Sequence, residues 1–535
     1  LTFLYQSAMI FSMNSIKLFV FIIVIQFFNH AAALNVLAIV TLPLKSHYMA
    51  FDRFFRELAI RGHSVTVMNN YLEKNPPPNM TFIDLSRDRY PHIRMPPMSA
   101  YEGSNSHYMR LINIYYHFLA RPQHVGQDCE HLVTSKEVVD FLDKKQKFDV
   151  IIVEQFMSDC GAAFAAALYD APIIGITSHT LLPWSYSRLG IPFDFSSDAF
   201  YFSTGGQNPS LYHKIEAYLT NIWAQHVLQP EIFKTINSIF KRHIPTFRGD
   251  VEEAIMEKMM MMFVYQHFSV TGARVLPPQV VEIGGIHINK AKQIPKDIDS
   301  FLSSAPHGAI YVSFGSNLNA STLSTQKMQA FLDAFKKIPQ KVLWKIESPN
   351  IASENVYTRP WFPQRDVLCH EKVLAFISHG GMLSLSEAAH CGKPLLTIPF
   401  FGDQFSNSAT IEQSGLGKIL YFDEVNADSL TDAIQYLTSK KMQENARKIQ
   451  SLWNDRPVDV LDSAIYWTEY VARHRSAPPS LPSKQTTWFE RSLLDVYSVL
   501  ISIVILVILM LLGLLCILKM LIKSCFNRYV KNKID

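Results

Sequence analysis

The run "VYSVLISIVILVILMLLGLLCIL", Val496 to Leu518, holds no charged residue, and it constrains everything before it. In lipid a single segment satisfies its own backbone polar groups only as a helix. At about 1.5 Å of rise per residue this one crosses a hydrocarbon core of about 30 Å with some tilt. Lys519, Lys523, Arg528, Lys531 and Lys533 follow at once. The positive-inside rule therefore predicts a cytosolic tail at 519–535, a membrane helix at 496–518, and a large domain on the far side.

The other end predicts how that domain gets there. Residues 1–33 read as a signal peptide: a non-native leader before Met13, Lys17 in a short polar stretch, the apolar run Leu18 to Phe28, and Ala31-Ala32-Ala33 as the cleavage site. A true membrane helix is the alternative, and the run is short for one. The expected topology is single-pass type I in the endoplasmic reticulum membrane with a lumenal domain. Lys531-Asn-Lys533-Ile-Asp535 fits a K-x-K-x-x retrieval signal, or else a plain stop-transfer flank. Asn79-Met-Thr81 and Asn319-Ala-Ser321 are glycosylation sequons usable in a lumen. Cys516 lies in the span and Cys525 in the tail, while Cys129, Cys160, Cys369 and Cys391 show no C-x-x-C spacing. Buried free thiols are expected, in a compartment that permits one pair.

Charge removes one class of partner. Lys17 and the tail account for the formal +4, which leaves residues 34–518 near neutral and without a basic run for nucleic acid. That stretch is too long for one core, and short apolar runs alternate with amphipathic ones in both halves. "NVLAIVTL", "SVTVMNN", "FDVIIVE" and "PIIGITS" in the first half, then "AIYVSFG", "KVLWKI", "VLAFIS" and "PLLTIP" in the second, read as buried strands. The class is α/β, with a parallel sheet in each of two lobes. Pro277, Pro278, Gly284, Gly285 and Pro295 mark the junction, so the divisions are 34–285, a linker at 286–300, and 301–480. Ligands in such sheets bind beyond the carboxyl ends of the strands, which predicts a cleft between facing lobes.

Neither lobe carries G-x-x-x-x-G-K-[ST] or G-x-G-x-x-G, which disfavours a Walker ATPase or a dinucleotide dehydrogenase. Instead "FISHGGMLSLSEAA", Phe376 to Ala389, ends a strand on Ser378-His379-Gly380-Gly381 and opens a helix. Backbone N–H groups and the helix dipole suit a diphosphate there, and glycines allow close approach. Ser384 can donate to phosphate and Glu387 can accept from sugar or ribose hydroxyls. A capping box, Ser384-x-x-Glu387, is the competing explanation.

From Trp361 to Gln404 the chain resembles the signature of the membrane-bound UDP-glycosyltransferases, the family of the vertebrate UDP-glucuronosyltransferases, with wording nearer to invertebrate members. The matching order is Trp361-x-x-Gln364, His379-Gly380-Gly381, Ser384, Glu387, Gly392-x-Pro394, Pro399 and Asp403-Gln404. The resemblance implies two Rossmann-like lobes of GT-B type, the first binding acceptor and the second UDP-sugar, with C-terminal helices returning toward the first. It implies that Trp361 stacks on uracil and Gln364 bonds the base or ribose. His379, Ser384, Gly380, Gly381 and the Gly315-Ser316 loop would hold the diphosphate, Glu387 the ribose, and Asp403 and Gln404 the sugar. A helix cap at Asp403-Gln404 is the alternative. His47 falls at the general-base position, while His63 is read as structural. Where vertebrate members have an aspartate partner this chain has Glu154, with Asp159 as the alternative.

The implied reaction is an inverting single displacement that conjugates a small lipophilic acceptor, with UDP-sugar as co-substrate, no cofactor and no required metal. Tyr265, Gln266 and His267 stand where glucuronate-using relatives carry an arginine, which favours glucose over glucuronate. "NIYYHF" and "MEKMMMMFVY" are candidate linings of the acceptor pocket or plain core. A catalytically weak lumenal UDP-sugar-binding subunit is the non-enzymatic alternative, and homo- and hetero-oligomers are both left open.

Overall fold

Each apolar run read as a strand forms one, and all but "VLAFIS" are trimmed at one or both ends. A computed structural model describes residues 33–87, 96–103, 107–156, 158–199, 202–347, 353–475 and 486–534. The expected signal peptide lies outside them except for Ala33. "NIYYHF" lies in the helix His107–Thr134, but its side chains are outside the described residues.

In the first lobe β1 (Asn35–Ile39), β2 (Ser64–Asn69), β3 (Met80–Asp84), β4 (Val150–Glu154), β5 (Ile173–Thr177), β6 (Met259–Val264) and β7 (Val280–Glu282) pair in the order β3-β2-β1-β4-β5-β6-β7. In the second, β8 (Ala309–Ser313), β9 (Lys341–Lys345), β10 (Val356–Arg359), β11 (Val373–Ser378), β12 (Leu395–Thr397) and β13 (Gly417–Ile419) pair as β10-β9-β8-β11-β12-β13. All these pairings are parallel. Both sheets thus reverse direction between their first and fourth strands, at β1/β4 and at β8/β11, which is the Rossmann order. The central strands are buried on both faces, so their Val/Ile/Leu runs are continuous, as helices on each side require.

Five strands escaped the sequence reading. Of these, β7 and β13 are three residues long, and β3 and β10 are partly exposed at sheet edges. The fifth, β6, is the "MMMMFV" stretch, and Met261 to Val264 are fully buried in it. These methionines are core between β5 and β7, not a pocket lining.

The expected 286–300 linker is irregular only in its first part, because the helix Lys296–Ser303 takes up its end. Arg53 donates to the carbonyls of Ile286 and Ile288, and Arg456 to that of Gly284 at 2.8 Å, so this crossing is held from both lobes. The helix Val460–His474 lies against the first lobe, with Asp462 on Arg61 and Glu469 Oε1 3.3 Å from His63 Nε2. His63 Nδ1 accepts from the Leu34 amide at 3.1 Å, which is a structural use.

Expected free thiols are corrected to two disulfides, Cys129–Cys160 and Cys369–Cys391. Their partners are 31 and 22 residues apart, and the packing of one helix on another, not a local motif, brings them together. Asn79 and Asn319 are both exposed.

The residues fall into two units: Leu1–Trp184 with Asp194–Pro479, which holds both sheets, and Ser185–Phe193 with Ser480–Asp535. The second contains the helix Leu494–Ile534, whose stretch Leu494–Val530 is long and apolar enough to cross a bilayer.

Candidate active site

The first switch point is occupied by an imidazole and a carboxylate. β1 runs into a short helix, Lys45–Met49, that carries His47, and β4 ends on Glu154. Since β1 pairs with β4 in the register Ile39↔Val153, residues far apart in sequence meet there. His47 Nδ1 lies 2.5 Å from Glu154 Oε1 and 3.1 Å from Ser178 Oγ, and all three side chains are buried. A carboxylate only accepts, so Nδ1 donates and Nε2 keeps the lone pair that can take a proton. Glu154, not Asp159, is thus the carboxylate on His47. Asp159 sits at the N-terminus of the helix Cys160–Leu168.

Ser178, one residue past β5, was missed by sequence reasoning, as a lone serine carries no motif. Phe156 packs between His47 and His179, with ring centroids at 4.7 and 4.8 Å. Burial pushes the His179 imidazole down to about 3, so it is neutral.

The second switch point lies opposite. Ser313 of β8 pairs with Ser378 of β11, so the Gly315-Ser316 loop and His379-Gly380-Gly381 emerge side by side. Asn317 Nδ2 reaches Ser46 Oγ at 3.4 Å, so this loop touches the helix that bears His47. The helix Met382–Cys391 starts from Gly381 without a side-chain cap. Ser384 is its third residue and Glu387 its sixth, a register that rules out the capping box, which needs its serine at the N-cap.

The glycines turn out to serve the protein's own side chains. A Cβ on Gly315 would stand 2.6 Å from His379 Cε1, and one on Gly381 2.5 Å from His379 Nε2. The ring is held between them. Its Nδ1 is buried with no hydrogen-bond partner among the described residues, and burial with the Lys345 cation pulls the ring down to about 4. An unused ring nitrogen beside uncapped helix amides favours an anion. Lys345 ends β9 in an otherwise apolar run, which hid it from sequence reasoning; it pairs with Glu347. Gly380, at φ +83, lies close to Ser408, where a Cβ would be 2.7 Å from Oγ.

Glu387 bonds elsewhere than its own helix start. Gln364 Nε2 donates to Glu387 Oε2 at 2.6 Å and to Ser384 Oγ at 3.0 Å, and Tyr311 OH to Gln364 Oε1 at 3.3 Å. His287 Nε2, from the crossing between the lobes, stands 3.5 Å from Glu387 Oε1, and its Nδ1 pairs with the Tyr265 hydroxyl. Trp361 is half exposed, with Lys45 Nζ 4.7 Å from its ring centroid.

Asp403 precedes the helix Gln404–Ser414 without capping it, and its Oδ2 accepts from Asn407 at 2.8 Å. Gln404 is buried, and its Oε1 accepts from the Phe400 and Phe401 amides at 2.8 and 3.2 Å. Only its amide N–H groups are left for a ligand.

Two parallel Rossmann-order sheets, each with polar groups gathered at its switch point, define a GT-B glycosyltransferase. Solved structures agree on the fold: the glycosyltransferase VinC in complex with DTDP has a TM-score of 0.56 at 14% identity, covering 82% of this chain and 100% of that one. The glycotransferase of kitacinnamycin scores 0.54 at 14% identity, covering 82% and 99%. Residues 36–532 match the model of the family described as UDP-glucoronosyl and UDP-glucosyl transferase, and the chain belongs to that family. UDP-glucosyltransferase 2 of Dactylopius coccus is 31% identical over 478 residues, which is 87% of this chain and 90% of that protein. Human UDP-glucuronosyltransferase 1A9 is 27% identical over 492 residues, 86% and 87% of the two chains. The protein is a glycosyltransferase with invertebrate-like relatives.

Proposed function

We propose that the chain moves glucose from UDP-glucose to a hydroxyl of a small lipophilic acceptor, with inversion at the anomeric carbon. The carrying observation is the buried His47, held by Glu154 through Nδ1 with its Nε2 lone pair uncommitted to Glu154, on a helix whose Ser46 meets Asn317 of the donor-lobe loop. In this reading Nε2 accepts the acceptor's proton as its oxygen attacks the sugar, and Glu154 stabilises the imidazolium that forms. Negative charge growing on the departing diphosphate is met by His379 and the amides after Gly381, with no metal required. Ser316 and Ser384 add hydroxyl donors, Trp361 stacks on uracil, Gln364 and Glu387 hold base and ribose, and Asp403 and Gln404 hold the sugar.

A neutral sugar is favoured because the Tyr265-Gln266-His267 segment offers no cation at neutral pH. Tyr265 pairs with His287, Gln266 donates to Glu282 at 2.9 Å, and burial near Arg456 holds His267 down to about 4. Likeness to the human relative keeps glucuronate as the second reading. Conjugation for detoxification is the proposed role. The proposed setting is the endoplasmic reticulum membrane with the catalytic domain lumenal, where the two disulfides form readily and Asn79 and Asn319 are accessible to glycosylation.

The test presents microsomes containing the full chain with UDP-glucose and UDP-glucuronate, a panel of phenols, and product masses as readout. Glucoside formation that His47→Ala abolishes while UDP binding survives supports the reading. Transfer from UDP-glucuronate alone overturns the sugar, and undiminished turnover in His47→Ala overturns the mechanism.

A further inference from the structure

His287 belongs to neither sheet, yet both lobes meet on its ring. It lies buried in the crossing, and Arg53 fastens its flanks by donating to the carbonyls of Ile286 and Ile288. Its Nδ1 pairs with the hydroxyl of Tyr265, the residue after β6. Burial pushes that hydroxyl up, so it keeps its proton, and the Gly285 amide and Ser386 hydroxyl direct donors at its oxygen. The Tyr265 proton therefore goes to Nδ1. With Nδ1 accepting, Nε2 carries the ring's hydrogen.

That N–H is a buried donor, and among the described residues Nε2 makes no hydrogen bond. Leaving such a group unpaired is costly, so its surroundings call for an explanation. Glu387 Oε1 stands 3.5 Å from it, with the two side chains only 7% and 13% exposed. A shift of about 0.5 Å brings the pair to hydrogen-bond length. Gln364 Nε2 already holds the other oxygen, Oε2, at 2.6 Å. A carboxylate offers about four lone-pair sites, two on each oxygen. With Gln364 on one oxygen and His287 on the other, a site is left on each, which suits two neighbouring hydroxyls donated together.

We propose that His287 is a positioning residue for the donor: its Nε2–H steadies Oε1 of Glu387 as Gln364 steadies Oε2, and the carboxylate so held accepts both ribose hydroxyls of a uridine nucleotide. This role rests on the proposed bond between Glu387 and ribose. It makes the ribose site depend on the first lobe, because Tyr265 and Arg53 hold the ring from there.

The test measures UDP binding by equilibrium dialysis, and initial rates with UDP-glucose, on the full chain in detergent. His287→Ala should weaken UDP by about tenfold, and the loss should fall on KM for UDP-glucose more than on kcat. In a Glu387→Ala background the same change should cost less than about twofold, because no carboxylate is left to hold. With 2′,3′-dideoxyuridine diphosphate, which brings no ribose hydroxyl, His287→Ala should likewise cost less than about twofold. His287→Gln keeps an N–H near the place of Nε2 and should restore UDP affinity to within about threefold. If His287→Ala does not fold, Tyr265→Phe carries the same comparison. It deletes one oxygen and frees Nδ1 to take the hydrogen, and should cost about threefold for UDP and nothing in the Glu387→Ala background. A loss of equal size in both backgrounds, or with the dideoxy nucleotide, marks a structural role and overturns the proposal. So does unchanged UDP affinity in His287→Ala while Glu387→Ala weakens it. Unchanged UDP affinity in Glu387→Ala itself overturns the ribose reading, and this role with it.

Discussion

Replacing Glu154 by Gln removes one negative charge from beside the His47 ring and leaves the side chain's shape almost unchanged. The two groups meet at 2.5 Å, with side chains only 11% and 3% exposed, so little solvent screens them. A hydrogen bond to a charged partner contributes about 1.5–3 kcal/mol, and opposite charges about 4 Å apart at an effective dielectric near 20 attract by about 4 kcal/mol. The amide keeps a hydrogen bond and Ser178 keeps its place, so the expected loss in the transition state, where the imidazole becomes charged, is about 2–4 kcal/mol. That is a fall in kcat of roughly 30- to 1,000-fold. Glu154→Asp keeps the charge but withdraws it by about 1.5 Å, and should lose less. Initial rates with UDP-glucose and a phenol, together with equilibrium dialysis of UDP, separate turnover from donor binding. Because Glu154 belongs to the first lobe, UDP affinity should stay within about twofold, as expected of a group that acts through the base. Full kcat in Glu154→Gln, or a loss confined to UDP affinity, would refute the reasoning.

Three further outcomes follow, two from the donor lobe and one from the first lobe. Gly381→Ala drives a Cβ into His379, at 2.5 Å from Nε2, so UDP affinity should fall about tenfold while uridine, which lacks phosphate, binds as before. Glu387→Ala removes the carboxylate proposed for the ribose and should weaken UDP and uridine alike, by about 10- to 100-fold in dialysis; an effect on UDP alone would sink that role. Burial pushes the Asp52 carboxyl up to about 6 from its ordinary 3.8, so the folded chain holds that proton more tightly than the unfolded one. The stability it contributes is complete below pH 4 and is lost as pH rises through about 6. Asp52→Asn should therefore raise urea-unfolding stability by up to about 3 kcal/mol at pH 7 and by nothing below pH 4.

Much of the lobe architecture is legible in short apolar runs, because a strand buried on both faces must be apolar throughout. Strands that lie at edges, such as β3 and β10, lack that pattern, and methionines in β6 carry no strand preference that marks them. In the site, His379 and Glu387 stand out through the glycines and helix start around them. Ser178, His287 and Lys345 do not, since each reaches the site from another strand end or from the crossing, and nothing beside them in sequence says so.

By itself the sequence determined the apolar span 496–518, which the helix Leu494–Ile534 extends at both ends, the alternation of strands and helices, and the local motif at His379, all of which depend on neighbours within a few turns. The tertiary structure decided which distant groups meet. His47 and Glu154 pair because the first strand of each sheet lies against the fourth, Cys129 finds Cys160 because two helices pack, and Glu387 turns from its own helix start to Gln364 and His287. Sheet order and helix packing are set by burying apolar faces over the whole chain, a sum that no local stretch contains.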